Sequence, residues 1–329
     1  MTRCLLLSRT DVRELLDMDS CIAAVATAFQ AEAEGATIPA GVLGTHVADG
    51  GFHVKVAGLT GRRSYYVAKI NANFPGNATA HGLPTIQGVA ALFDATNGIL
   101  LALIDSMELT TLRTAAATAV AARHLARTDA RTVGILGCGI QGRSQLRALS
   151  RVRQIERAFA WDGAADVAER YAREMAAELG IKVVATDRYR DVIAECDVIV
   201  TCTASRLPLL EADDVSPGTF VAGVGADSES KQELAPALLA RSTLVVDVLE
   251  QCARIGDLHH ALDAGTMRRE DVHGDLADVV SGRQPGRRSA DEVTVFDSTG
   301  TALEDVAAAS VVYERALTGT RCRAIEFGA

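Results

Sequence analysis

Apolar and polar positions change their spacing twice along the chain, and each change marks a different kind of structure. From Asp11 to Gly35 the sequence is rich in Ala, Leu, Met and Glu, which predicts one amphipathic helix. From Thr37 to Leu103 short runs of Gly, Val, Tyr and Phe replace that pattern: Gly51-Phe-His-Val-Lys-Val-Ala, Ser64-Tyr-Tyr-Val-Ala-Lys-Ile-Asn and Gln87-Gly-Val-Ala-Ala-Leu-Phe-Asp. Pro75-Gly76-Asn77 and the hairpin pair Asn97-Gly98 separate them, and a meandering sheet is predicted. A long helix follows through Leu112, Ala116, Val120 and Leu125, with Asp105 and Glu108 at capping-box spacing and an alanine run that favours helix and close packing. Beyond it strand and helix alternate, with candidate strands at 132–136, 157–161, 182–185, 198–202, 220–224 and 244–248. This alternation predicts a parallel sheet covered on both faces. A last helix spans Leu303 to Leu317, followed by a short tail.

The 329 residues are about twice a typical domain, so two domains are expected. With 48% hydrophobic and 23% charged residues the chain can bury a sizeable core. It has no apolar run of membrane-spanning length, and Met1-Thr-Arg-Cys-Leu-Leu-Leu-Ser is too short for a signal-peptide core. A soluble, cytoplasmic protein without membrane contacts is expected. The net charge of -9 argues against a nucleic-acid partner, which requires a basic face. Seven scattered cysteines include no C-x-x-C pair and read as buried free thiols. No metal site is expected: the seven histidines lack metal-ligand spacing, His259-His260 reads as a helix-surface pair, and Asp275-Leu-Ala-Asp278 as a solvated face.

Thr132-Val-Gly-Ile-Leu-Gly137-Cys-Gly139-Ile140-Gln141-Gly142 joins a strand to a helix through G-x-G-x-x-G. A second strand follows and ends at Asp162, twenty residues past Gly142. Gly137 permits the tight turn, Gly139 lets a pyrophosphate approach the backbone, and Gly142 lets helix and strand pack closely. The helix N-terminus offers free N–H groups to the phosphates. Asp162 can accept hydrogen bonds from an adenosine ribose and would repel a 2′-phosphate, so NAD is the expected cofactor.

Five motifs in order carry a wider resemblance: Lys69-Ile-Asn-Ala-Asn-Phe-Pro-Gly-Asn77, Leu109-Thr-Thr-Leu-Arg113-Thr-Ala-Ala-Ala, the glycine turn, Gly225-Ala-Asp227-Ser-Glu-Ser-Lys231-Gln-Glu-Leu234 and Phe296-Asp-Ser-Thr-Gly300. Over nearly its whole length the chain resembles the ornithine cyclodeaminase/mu-crystallin family. The resemblance implies an α/β fold: a Rossmann dinucleotide-binding domain (127–300) plus an N-terminal α+β substrate and dimerisation domain (1–126, completed by 301–329). It also implies a homodimer, and hydride exchange between the α-carbon of an amino acid or imino acid and a nicotinamide.

On residue type alone Lys69 reads more readily as an exposed strand lysine and Arg113 as a helix-surface arginine, although the apolar, alanine-rich helix around Arg113 argues against simple solvation. The resemblance assigns both to the substrate carboxylate, which a bidentate guanidinium would orient. It assigns acid–base work to Asp227, which as a loop aspartate alone would read as a solvated turn residue. Ser228 and Thr299 match the substrate side. Thr85, Thr114, Ile140, Gln141, Thr203, Val224, Lys231 and Ser298 match cofactor contacts. Two departures bear on the substrate. Ile38-Pro39-Ala40-Gly41-Val42-Leu43 lacks the arginine of the ornithine-specific members, and His53-Val-Lys55 stands where they carry a Glu for the distal amine. Lys55 there would repel a diamine, so an anionic or neutral side chain is favoured. An NAD-dependent amino-acid dehydrogenase or imine reductase is the first reading. An ornithine- or lysine-type cyclodeaminase that uses NAD catalytically and releases ammonia is the second. A non-enzymatic small-molecule binder is the third.

Overall fold

The computed structural model describes residues 2–319 and 322–327, which form two compact units, 1–113 with 301–329, and 114–300. The passage from one to the other falls within the helix Ser106–Leu125, thirteen residues before the expected boundary at 126/127. The helix is continuous across it because nothing in Arg113-Thr-Ala-Ala-Ala-Thr-Ala breaks it.

The first unit holds a seven-stranded sheet in the order Arg323–Phe327, Thr2–Leu7, Leu100–Asp105, Ile86–Asp94, Tyr65–Asn73, Gly50–Leu59, Thr37–Val47. Thr2–Leu7 runs parallel to Leu100–Asp105, and every other neighbouring pair is antiparallel. The three quoted strand runs appear as Gly50–Leu59, Tyr65–Asn73 and Ile86–Asp94, and Gly98 turns the last into Leu100–Asp105 with φ of 75°. The short tail after the last helix contributes an edge strand.

The single helix expected over 11–35 is two, Arg9–Leu15 and Met18–Ala33. Leu16 is extended and buried, and the Asp17 carboxylate accepts from the Ser20 N–H at 2.8 Å, capping the second helix. At the long helix the Asp105 carboxylate accepts from the N–H groups of Met107 and Glu108, but Glu108 turns to Arg13 rather than back to the cap. One half of the expected capping box is therefore present. Helix Ala302–Thr318 packs on Met18–Ala33 and on the strands Gly50–Leu59 and Tyr65–Asn73.

The second unit is built on eight parallel strands in the order Gly274–Asp275, Thr243–Val246, Thr294–Asp297, Phe220–Gly223, Val198–Thr201, Thr132–Leu136, Arg157–Trp161, Lys182–Ala185. The six expected strands are there to within two residues at their ends. Thr294–Asp297, not anticipated as a strand, runs through the middle of the sheet. Strand order reverses between Thr132–Leu136 and Val198–Thr201, the switch point at which doubly wound sheets bind ligands.

The cysteines are unbridged; five are buried, and Cys202 and Cys322 are half-buried. Among the described residues no helix is long and apolar enough to cross a membrane.

Candidate active site

In the first unit, Lys69 and Arg113 are neither exposed nor solvated: they are 2% and 4% accessible. Lys69 Nζ lies 2.7 Å from the Asp305 carboxylate and donates to Thr110 Oγ1 at 3.3 Å. Arg113 reaches Asp305 through Nε at 2.9 Å and Glu304 through Nη1 at 2.7 Å. Both acids stand in the first turn of helix Ala302–Thr318, where the helix dipole favours negative charge. Thr301 caps this turn, and its own N–H donates back to Glu304. Burial would raise the Asp305 carboxyl, but the Arg113 and Lys69 cations outweigh it and hold the group below its ordinary value.

Lys69 moves the other way. Burial, helped by the neighbouring Arg113 cation and opposed by Asp305, pushes its ammonium down to about 7. Lys55 stands directly across from Lys69 on the adjacent strand, so both side chains leave the same face of the sheet. Its charge acts on Lys69 and Asp305 alike. Thr85 is half-buried just before strand Ile86–Asp94, and its carbonyl accepts from the Phe74 N–H.

In the second unit the predicted residues gather along the carboxyl edge of the parallel sheet, apart from Thr114, which is buried in helix Ser106–Leu125. Gly137 has φ of 107°, and a Cβ there would stand 2.7 Å from the Cys202 carbonyl oxygen. At Gly142 a Cβ would lie 2.1 Å from the Gly137 carbonyl oxygen, so the helix Ile140–Val152 packs on the turn as closely as a backbone can. At Gly139 a Cβ would meet nothing within 4 Å. The N-terminus of this helix is thus open where a pyrophosphate has to approach, with Ile140 exposed and Gln141 half-buried in the first turn. Asp162 braces the turn, accepting from the Cys138 N–H at 2.9 Å and from the Ala164 N–H at 3.1 Å. A carboxylate has about four acceptor sites, so capacity remains for a ribose.

Thr203, Val224, Asp227, Ser228, Lys231, Ser298 and Thr299 follow the next strand ends along this edge. The Lys231 ammonium donates to Asp227 Oδ1 at 2.6 Å, giving that half-exposed carboxylate a fixed partner. Val224 donates its N–H to Thr201 O, and Ser228 O accepts from the Lys231 N–H. Ser298 donates its N–H to Gly223 O, while its hydroxyl is buried without a hydrogen-bond partner among the described residues. Thr299 is fastened from below by Asp247 at 2.9 Å.

The acids beneath these loops escaped the sequence reading. Glu233, Asp247, Asp257 and Asp297 are all fully buried, and no ion pair reaches them among the described residues. Burial pushes Asp297 up to about 7, and the nearby Asp247 and Glu233 charges add to the rise. Glu304 and Asp305 were missed too, since acids in the first turn of a capped helix are ordinary. Asp275 corrects the reading of 275–278 as a solvated face: its carboxylate accepts from the Leu249 N–H, and burial raises it to about 6. His260 is also more than a surface residue, since its Nε2 lies 2.8 Å from Lys231 O.

A doubly wound sheet with an open glycine turn at its switch point, a carboxylate ending the second strand, and a separate unit carrying a buried cation pair together define an NAD-dependent oxidoreductase. The chain belongs to the ornithine cyclodeaminase/mu-crystallin family, whose model matches residues 3–320. Three solved structures are similar along nearly the full length. An archaeal alanine dehydrogenase dimer with bound NAD superposes with a TM-score of 0.94 at 36% identity, covering 99% of this chain and 100% of that one. The Δ1-pyrroline-2-carboxylate reductase of Thermococcus litoralis, in complex with NADH and L-proline, gives 0.91 at 32% identity, covering 95% and 98%. The iminosuccinate reductase of Paracoccus denitrificans with NAD+ gives 0.89 at 32% identity, covering 99% and 100%.

Three outcomes are expected. Gly142→Ala, which forces a methyl group into the Gly137 carbonyl, should cost about 1–3 kcal/mol, read as a fall in Tm of about 2–12 °C. Gly139→Ala should leave Tm within about 1 °C of wild type yet weaken NADH binding, measured by fluorescence titration. Asp305→Asn strips the shared counter-ion from two buried cations, and urea unfolding should report a loss of about 3–5 kcal/mol. A loss under about 1 kcal/mol would mean that water reaches these charges.

Proposed function

We propose that this chain is an NAD(H)-dependent amino-acid dehydrogenase or imine reductase in which Lys69 and Arg113 hold the substrate's α-carboxylate and Asp227 handles protons. The observation that carries this reading is the buried cation pair. Lys69 and Arg113 meet on Asp305, and Lys55 stands across the sheet from Lys69, so ammonium and guanidinium donors of the kind that suit a carboxylate ligand are gathered in one place. The planar guanidinium of Arg113 gives direction, and Asp305 locks both cations in place so that little ordering remains to be done on binding. When bound, NAD supplies or takes up the hydride at the substrate α-carbon.

Lys69 adds a second capability. With its ammonium pushed down to about 7, it can release or retain a proton at neutral pH, whereas an ordinary lysine stays charged. Asp227, oriented by Lys231, is the carboxylate that moves protons at the substrate nitrogen. Lys55 extends the cationic face toward the substrate side chain. It favours an anionic or neutral substituent over the ammonium of ornithine or lysine, which sets the dehydrogenase or reductase reading above the cyclodeaminase one.

The test is a screen of purified protein with NAD and L-amino acids, and with NADH and cyclic imines or keto acids plus ammonia, following both absorbance at 340 nm and ammonia. Net change in NADH is expected, and Asp227→Asn should lower kcat by about 10²–10⁴-fold. Ammonia released from ornithine, lysine or diaminobutyrate without net NADH change would instead establish a cyclodeaminase. In the reductive direction kcat/KM should be level below about 7 and fall above it as Lys69 loses its proton. Lys69→Arg should remove that limb of the profile.

We infer further that the protein works as a homodimer through the face of the N-terminal sheet opposite Lys69. Leu43, Val54, Ile70 and Val89 form one cross-strand row there, and Leu43, Phe52, Ile70 and Val89 are exposed. A contiguous apolar sheet face of this kind requires a cover. Ile70→Glu should convert the dimer to a monomer in analytical ultracentrifugation; a wild-type chain already monomeric at micromolar concentration would refute the assignment.

A further inference from the structure

We propose that Glu233 is a positioning residue: its buried carboxylate clips the loop that carries Asp227 to the turn that carries Thr203. The inference deepens the function above and rests on the reading of Asp227 as the proton-handling residue.

Glu233 lies in the three-residue strand Gln232–Leu234 and is fully buried. One carboxylate oxygen accepts from the Thr203 N–H at 2.6 Å and from the Thr203 hydroxyl at 2.7 Å. The other accepts from the Gly225 N–H at 2.7 Å. Thr203 and Gly225 each leave the carboxyl end of a strand, and those strands, Val198–Thr201 and Phe220–Gly223, are direct neighbours. A single carboxylate therefore ties two adjacent exits of the sheet.

Asp227 lies between the tied points. Residues 226–232 run from Gly225 to Glu233, so the clip closes this loop on itself. Inside it the Asp227 N–H donates to Gly225 O, and the Lys231 ammonium holds the Asp227 carboxylate. The clip is fastened from behind: Asp257 accepts from the N–H groups of Glu233 and Leu234. The glycine at 225 belongs to the same arrangement. A Cβ there would lie 2.4 Å from Thr203 O and 2.6 Å from the Glu233 carboxyl, so no other residue lets the two loops come this close. Three donors converge on one desolvated carboxylate, and it has no cation to serve. Its task is to fix distance and direction between the cofactor-side turn and the proton-handling side chain, which is where small misplacements are most costly to rate.

Glu233→Gln tests this with little change in volume, because its NH₂ must confront an N–H at Thr203 or Gly225. Hydrogen exchange at the Thr203 and Gly225 amides should accelerate at least about tenfold. In the same variant kcat should fall by about 30–100-fold, with NADH affinity within about threefold of wild type. In an Asp227→Asn background the Glu233→Gln change should slow turnover little further, since the two act as one unit. Gly225→Ala, which separates the same contact from the opposite side, should reproduce the pattern. Unchanged exchange in Glu233→Gln overturns the clip, as does a full multiplicative loss on top of Asp227→Asn, or an activity loss matched by loss of NADH-binding protein. Wild-type kcat in Asp227→Asn alone overturns the reading of Asp227, and so is distinguished from failure of the clip.

Discussion

A lysine and an arginine withdrawn from water must be met by carboxylates, and the N-terminal unit is arranged around that requirement. Desolvating each ion costs several kcal/mol, which only close and well-directed opposite charge can offset. Asp305 supplies it to both cations and Glu304 to one. Through these contacts helix Ala302–Thr318 is joined to strand Tyr65–Asn73 and to the start of helix Ser106–Leu125. Lys55, on the facing strand, adds its charge to the field at Lys69 and Asp305.

The second unit solves the reverse problem. Its carboxyl edge is a row of loops, and buried acids hold several of them by backbone N–H groups rather than by cations. Asp247 holds the Thr299 turn, Glu233 the Thr203 and Gly225 loops, and Asp257 the strand on which Glu233 sits. Burial and the neighbouring acids push the Asp257 and Asp297 carboxyls up, and burial raises Glu233 as well. Backbone donors point in fixed directions, so the row holds its geometry without long flexible side chains, and Lys231 is left to serve Asp227.

What could be read from the sequence was local. The strands of the parallel sheet are compact apolar runs bounded by turns, and the glycine motif is legible because each glycine answers a different steric demand within a dozen residues. Thr2–Leu7 and Arg323–Phe327 were not legible: each is five or six residues long, and they pair with one another from opposite ends of the chain. The break at Leu16-Asp17 was hidden because apolar periodicity continues across it. The acids were the larger gap. Glu304 and Asp305 look like ordinary first-turn residues of a capped helix, and only the fold brings Lys69 to Asp305 across 236 positions. Lys69 and Arg113 were found through family motifs, since residue type alone favoured the surface for both, with only the apolar helix around Arg113 pointing inward. Glu233 sat inside a quoted motif, but no rule of composition says that a glutamate beside an apolar strand will face backbone amides.

The return of residues 301–329 to the N-terminal unit also orders events during synthesis. Residues 114–300 can complete a core of their own as they leave the ribosome, whereas the N-terminal sheet must wait with two uncompensated cations in its interior. Contacts closed over so long an intervening chain form late. A nascent polypeptide that stalls before residue 305 therefore carries a finished dinucleotide fold beside an unfinished partner. The carboxylates that close the N-terminal core lie beyond the whole of residues 114–300, which ties its completion to translation past the second unit.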